Sequence, residues 1–554
     1  MKKIILILAV FLVFPVFNAF SSPYDMIAAD DPILQDILYV SQESGVSVLS
    51  FTPPLSPDEV TQFLASVDQS KLPPAALSAY DRIKERLQAE TRINVSSGLF
   101  KFNFNINSAV EATARFNDNI DWYPAYPQIP ALLSLPVRLY FGDAFQLYFE
   151  PAVSKEPEYY RGSTENFYGD NSEVDYFSTN LPAKAEDIDQ TFPFRAYAAL
   201  GGQWWNFQIG RDRLSYGTGQ SGNLSIDDNL AYYQFARLSL FSSFFKYSVL
   251  VSQMPLDISG IYDTDLKPSL TQTTQRYLYL HRLDLRLFDI VSLSLSEGVM
   301  VGNSPLELRY LNPATIFHQM FTFWEYPDWS GGTSPLNGLG DMTGSLFSAE
   351  VNWNIIKSLS VYGQFVMNQY STEYKQQNWG GQPNGLGYLA GTRYTGSISD
   401  WGYSAFLEFI YTDPYLYLNP SPFASLIQMR PLGITPGRFE YAYIGYPRDT
   451  IAVTLGGKFF DADRLILNGT FSWISQGEHT VAYDWENSAA SIAETTPSGT
   501  AENKFVFSAD AQWKFLPYLT LKGGASIIYS VNNNHASGVN ELGGQAGISV
   551  LFQY

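Results

Sequence analysis

The chain has four histidines, His281, His318, His479 and His535, and no cysteine among its 554 residues. Histidine titrates near neutrality and is the commonest metal ligand, so these four come first in any search for chemistry. They fall on different segments, and no two have the spacing of a metal site. None has a serine nearby in a recognisable elbow, so a Ser-His-acid hydrolase site has no support, and structural or loop histidines are the plainer reading. Gly217-Thr218-Gly219-Gln220-Ser221-Gly222 spells G-x-G-x-x-G. A dinucleotide fingerprint requires a helix opening on the last glycine, whereas Asn223-Leu224-Ser225-Ile226-Asp227-Asp228 follows without a helical period. Asn117-Asp118-Asn119 with Asp121, and the pair Asp227/Asp228, lack the spacing of a calcium loop and read as solvated turns. The expectation is a protein that is no enzyme and uses no cofactor or metal.

Two other sets of residues could bind rather than react. Phe321-Thr322-Phe323-Trp324-Glu325-Tyr326-Pro327-Asp328-Trp329 lies in a long polar segment. Trp324, Tyr326 and Trp329 could stack on sugar rings while Asp328 and Glu325 accept hydroxyl hydrogen bonds. Packing into a plug or an interfacial girdle accounts for the same aromatics. The second set is Arg115, Arg138, Arg195, Arg211, Arg282, Asp284 and Arg286, all assigned to the polar phase of alternating stretches. Opposed charges across a lumen orient polar solutes and select ions. They can equally form ion pairs that seal it, and both readings stay open.

The elements that must position these residues are strands. Phe100, Phe102, Phe104, Ile106, Val110, Ala112, Ala114 and Phe116 share one face; Lys101, Asn103, Asn105, Asn107, Glu111, Thr113 and Arg115 share the other. A period of two is a strand, and the simplest account puts lipid outside and water inside. A charge facing mid-bilayer costs roughly 2–4 kcal/mol. Similar segments recur near 137–151, 194–213, 231–253, 275–302, 344–371, 386–413, 438–476, 503–531 and 541–554. Tight turns such as Phe288-Asp289 and Asp461-Ala462-Asp463 alternate with long loops at 152–192, 214–230, 254–274, 303–343, 372–385, 414–437 and 477–502. The short-long rhythm slips once around 413–448. The last stretch, Gly544 to Tyr554, alternates down to a final aromatic, like the signal that barrel-assembly machinery reads.

Composition agrees. Aromatic residues make up 16% and charged residues only 16%, against about a quarter charged in a soluble domain. Beyond residue 21 no apolar run is long enough for a helical span. Lys2 and Lys3, the apolar stretch Ile4 to Phe17 and Ala19-Phe20-Ser21 form a signal peptide over 1–21. The net charge of −20 argues against nucleic acid as a partner. Residues 22–92 read as a helical segment, periplasmic or against the barrel end, with one helix capped at Ser56 and a second from Leu72 to Leu87. Residues 93–554 read as a closed antiparallel outer-membrane β-barrel of about 18 strands, with 16 to 20 allowed.

Gly210-Arg211, Tyr216-Gly217-Thr218-Gly219 and Gly222-Asn223-Leu224-Ser225 resemble the glycine-rich strand exit of the capsule assembly Wzi family, with Tyr216 where a tryptophan usually stands. His281-Arg282-Leu283-Asp284, Glu297 and Tyr310-Leu311-Asn312-Pro313 resemble its following segments. The resemblance implies an outer-membrane barrel that holds capsular polysaccharide at the cell surface. The reading is therefore a monomeric barrel in the bacterial outer membrane, with outer-membrane lipid and surface polysaccharide as partners. The alternative is a porin passing small polar solutes along an arginine-lined lumen.

Overall fold

The computed structural model describes residues 25–88, 93–97, 99–117, 130–155, 177–185, 188, 195–228, 232–254, 275–302, 305–314, 343–370, 383–418, 424–431, 439–461, 464–479 and 494–554. Twenty-three strands join in one antiparallel sheet. From Ala196–Gly202 onward, strands pair with their neighbours in sequence, and at every second connection a two- or three-residue turn leaves the second strand nowhere else to go. Asn540–Gln553 then pairs with Asn107–Phe116. That strand continues the line of Phe100–Phe104, which pairs with Val137–Phe141.

One segment departs from the expected pattern. Trp401–Thr412 pairs directly with Thr450–Asp461, while Ile427–Pro431 and Phe439–Tyr443 form a separate two-stranded hairpin. The stretch from 439 to 449 is therefore no part of the large sheet, and its removal restores the short-long rhythm of turns and loops.

Among the described residues three helices precede the sheet: α1 (Ile33–Ser44), α2 (Pro57–Ala65) and α3 (Pro74–Gln88). Helix α2 starts where expected, on a capping box. Ser56 accepts from the Glu59 amide while the Glu59 carboxylate accepts from the Ser56 amide, an arrangement worth about 1 kcal/mol. Helix α1 was not anticipated from the sequence. Nine of its 12 residues are buried, including Ser41, Gln42 and Glu43, and Ile33, Leu34, Ile37, Leu38 and Val40 recur at helical spacing. Ile37, Val40, Val60, Phe63, Ala76, Ala79 and Ile83 pack these helices into one cluster that also takes Phe460 from the sheet.

The sheet face that meets the helices is its inner face. Alternation along Arg276–Leu287 shows how it is divided. Leu278 and Leu280 lie toward the long-loop edge, and Arg282, Asp284 and Arg286 toward the short-turn edge. The apolar half packs against segments that fold inward from the loops, and the charged half faces the helical segment. The expectation of lipid outside and water inside is thus corrected over this part of the sheet. Leu250, Leu278, Leu280, Leu346, Leu389 and Ile410 are buried on the inner phase because protein, not water, covers them. The outer phase carries exposed Leu293, Leu295, Phe409, Leu455, Phe507 and Ile527, as a lipid-facing surface requires.

Candidate functional site

Arg276–Leu287 carries a buried charged group on the inner face. Arg282 donates to both oxygens of Glu350 at 2.6 and 2.9 Å, and its Nε to Asp284 at 2.9 Å. Ser294 donates to the same Asp284 oxygen at 2.6 Å. Arg282 is 1% exposed and Asp284 0%, so the pair lies away from water. The Tyr216 ring lies 5.5 Å from the Arg282 guanidinium. Arg286 bonds Ser66 at 3.1 Å and pairs with Asp289 at 3.4 Å.

The other expected inner cations are also engaged. Arg138 reaches Asp25 at 3.2 Å, and Arg86 of α3 reaches the same carboxylate at 2.8 Å. Burial opposes ionisation of Asp25, but these two guanidiniums outweigh it and hold its pKa below the usual range. Arg195 pairs with Asp212 at 2.9 Å and Asp30 at 3.4 Å. Arg115 bonds Gln545 at 3.2 Å. Arg211 is a correction: it shares the phase of exposed Ile209, opposite buried Gln208 and Asp212, and stacks 4.1 Å over Tyr232. It therefore belongs to the outer face. Pairing with both neighbouring strands runs unbroken through Gly210 and Arg211, so strict alternation from Gln208 to Asp212 puts Arg211 outward despite its charge.

Several ions were missed because their partners are remote in sequence. Lys246 binds Glu59 and, at 3.0 Å, Thr52. Burial opposes ionisation of Glu59, yet Lys246 and the Ser56 amide pull its pKa down. Arg237 donates to the Thr52 carbonyl at 2.9 Å and to that of Pro54. Residues 47–55 are thus threaded against the inner face, and the Gly217 amide bonds the Phe51 carbonyl at 2.9 Å. The only advance signal was the inner phase of Arg237 and Lys246 themselves.

The glycine-rich segment folds inward and meets this thread. Glu408 accepts from the amides of Gln220 and Ser221, each at 2.9 Å, from the Ser221 hydroxyl, and from Tyr362 at 2.9 Å. Gln364 bridges the Leu224 amide at 2.8 Å and Asn223 at 2.8 Å. Gly217 has φ +121° and Gly222 φ +150°, and a Cβ at either would collide with Gln364 or Tyr446. Leu214, Tyr216, Leu224 and Ile226 then pack with Tyr415 to Leu418 and with Leu426, Ile427 and Ile444 into one core. The motif serves close packing of an inward segment, with its Gln220 and Ser221 amides taken by Glu408.

Among the histidines, His281 bonds the Tyr310 carbonyl at 3.1 Å, His479 contacts Glu494 at 2.9 Å and His535 meets the Thr500 carbonyl at 2.9 Å. No group of three or more metal-ligating side chains occurs among the described residues. His318, Asp118, Asn119 and Asp121 lie outside the described residues, as do Trp324, Glu325, Tyr326, Asp328 and Trp329.

The model of the capsule assembly protein Wzi family matches residues 108–423. The chain belongs to the Wzi capsule assembly family. The solved structure of Escherichia coli Wzi, an outer membrane protein involved in group 1 capsule assembly and described as a carbohydrate-binding β-barrel, superposes with TM-score 0.55. It does so at 14% identity, over 95% of this chain and 98% of that one. The present chain thus has the Wzi-like outer-membrane barrel fold, and its place is the bacterial outer membrane. Pseudomonas aeruginosa OccD3 aligns at TM-score 0.40 and 9% identity, over 82% of this chain and 91% of its own. That similarity is too weak to argue from. No curated protein matches the sequence.

Proposed function

We propose that this protein holds capsule-type polysaccharide at the cell surface as a monomeric, non-enzymatic barrel. The observation that carries the reading is the filled inner face. Of the arginines expected to line a pore, Arg138, Arg195 and Arg282 are paired with carboxylates and Arg286 with Asp289 and Ser66, so over this part of the sheet their charge is spent within the protein. A porin needs that path open; an anchor does not. Family membership and the carbohydrate binding described for E. coli Wzi support the same choice.

In this reading the sheet closes through about 18 long strands, the even count of a bacterial barrel. The pairing of Asn540–Gln553 with Asn107–Phe116 supports closure. Residues 22–92 sit at the periplasmic end, where α1 and the following thread bond the turns at Asp289 and Ser358. The strand Asn540–Gln553 is the element that assembly machinery reads. The glycan contacts fall to Trp324, Tyr326, Asp328 and Trp329 in the outward 303–343 loop. Retention of purified capsular polysaccharide by the immobilised protein tests this. Trp324→Ala with Trp329→Ala should abolish retention while leaving the protein folded; unchanged retention would remove that loop from the site, and no retention by the wild type would sink the anchor.

A further inference from the structure

The filling of the inner face is one-sided. Along Glu502–Leu516 and Leu519–Val531, inner-phase Asp510, Lys514 and Lys522 are exposed, unlike the buried inner residues of Arg276–Leu287. Here no inward segment covers the wall among the described residues. A cavity of about 450 Å³ lies against it, lined by serines, glycines and four charges, Glu111, Arg115, Asp510 and Lys522. A second cavity of about 500 Å³ lies toward the short-turn edge, between the helical segment and Asn105, Asn107, Gln553 and Tyr554.

Register relates the two. Lys522, Ser549 and Glu111 are paired across three strands and form the lower edge of the first cavity. Two residues further down, Thr520, Leu551 and Ala109 are paired in the next inner row. Two further, Gln553 and Asn107 already belong to the second cavity. Inner rows are spaced by two residues, about 7 Å, so a single layer of side chains separates the cavities. Thr520 is 7% and Ala109 5% exposed, and Leu551 is the one bulky member of the three.

We propose that this wall is a conduit for small ions, running from one cavity to the other through the neck at Thr520, Leu551 and Ala109. The chemistry fits. Lys522 and Glu111 stand two strands apart, about 10 Å, and opposed charges at that spacing set a transverse field that favours hydrated ions over apolar solutes. Serine and glycine between them leave room and add hydroxyl groups. The upper wall is built mostly from residues 508–549, outside the stretch matched by the family model. The inference is therefore separate from the polysaccharide reading and survives its failure.

Single-channel recording of the refolded full-length mature protein in a planar bilayer under a potassium chloride gradient tests it. The wild type should give small discrete steps, and Leu551→Gly should enlarge them severalfold. Ala109→Trp should abolish them, and Lys522→Glu should shift the reversal potential toward potassium. Heat-modifiable gel mobility establishes that each variant is folded. Silence of both the folded wild type and folded Leu551→Gly would overturn the conduit. Steps indifferent to both neck substitutions would overturn it equally, since the current would then run elsewhere.

Discussion

Replacing Arg282 with methionine is the sharpest probe of the sealed side of the inner face. Methionine keeps most of the aliphatic stem, so packing changes little while the charge disappears. The guanidinium supplies four hydrogen bonds, two to Glu350, one to Asp284 and a longer one to Ser296. Its loss leaves both carboxylates buried with no cation in place. Breaking a buried pair in this way costs about 3–5 kcal/mol, mostly the penalty of the stranded charge. In a background already carrying Glu350→Gln and Asp284→Asn no charge is stranded, and Arg282→Met should cost less than half as much. Urea unfolding in detergent, followed by tryptophan fluorescence and linear extrapolation, measures all four corners of the cycle. Equal costs in the two backgrounds, within about 0.5 kcal/mol, would refute the reasoning and assign Arg282 a packing role. The Tyr216 ring beneath Arg282 makes the same substitution loosen the glycine-rich segment, which limited proteolysis would report.

Gly217→Ala places a Cβ 1.5 Å from Gln364 Nε2 at φ +121° and should destabilise by about 1–3 kcal/mol or more. Gly142→Ala, at φ +62° with nothing within 4 Å, is the control, and equal urea midpoints would refute the collision argument. Burial, and then the neighbouring Asp228 charge, push Asp227 up to about 7 from an ordinary 3.8. Its native state therefore holds a proton that the unfolded chain releases. Stability should be greatest below the unfolded value and fall as pH rises toward about 7, by at most about 1.4 kcal/mol per unit. Asp227→Asn should flatten that slope in urea midpoints taken across the range; an unchanged slope would assign the dependence to other groups.

The alternation at Phe100–Phe116 and in later segments was legible in the sequence because a pleated strand writes its two environments at every second residue. The turn residues Phe288 and Asp289, the capping box at Ser56 and Glu59, and the family likeness around Gly217 and His281 were legible for the same reason: each is a local pattern. What fills the inner face was not. Whether Leu280 meets water or Leu224, and whether Arg282 lines a pore or closes on Glu350, depends on segments 60 to 190 residues away. Helix α1 was passed over although Ile33, Leu34, Ile37, Leu38 and Val40 carry the helical period, because no side-chain cap marks its start at Pro32. Arg211 was assigned to the inner face by its charge, although unbroken alternation from Gln208 to Asp212 turns it outward. Sequence by itself determined export, the strand period and the family, all of which are written in neighbouring residues. Only the tertiary structure decided which charges are spent on one another and which wall is left to water, because ion pairing and solvent access are set by what long-range folding brings alongside.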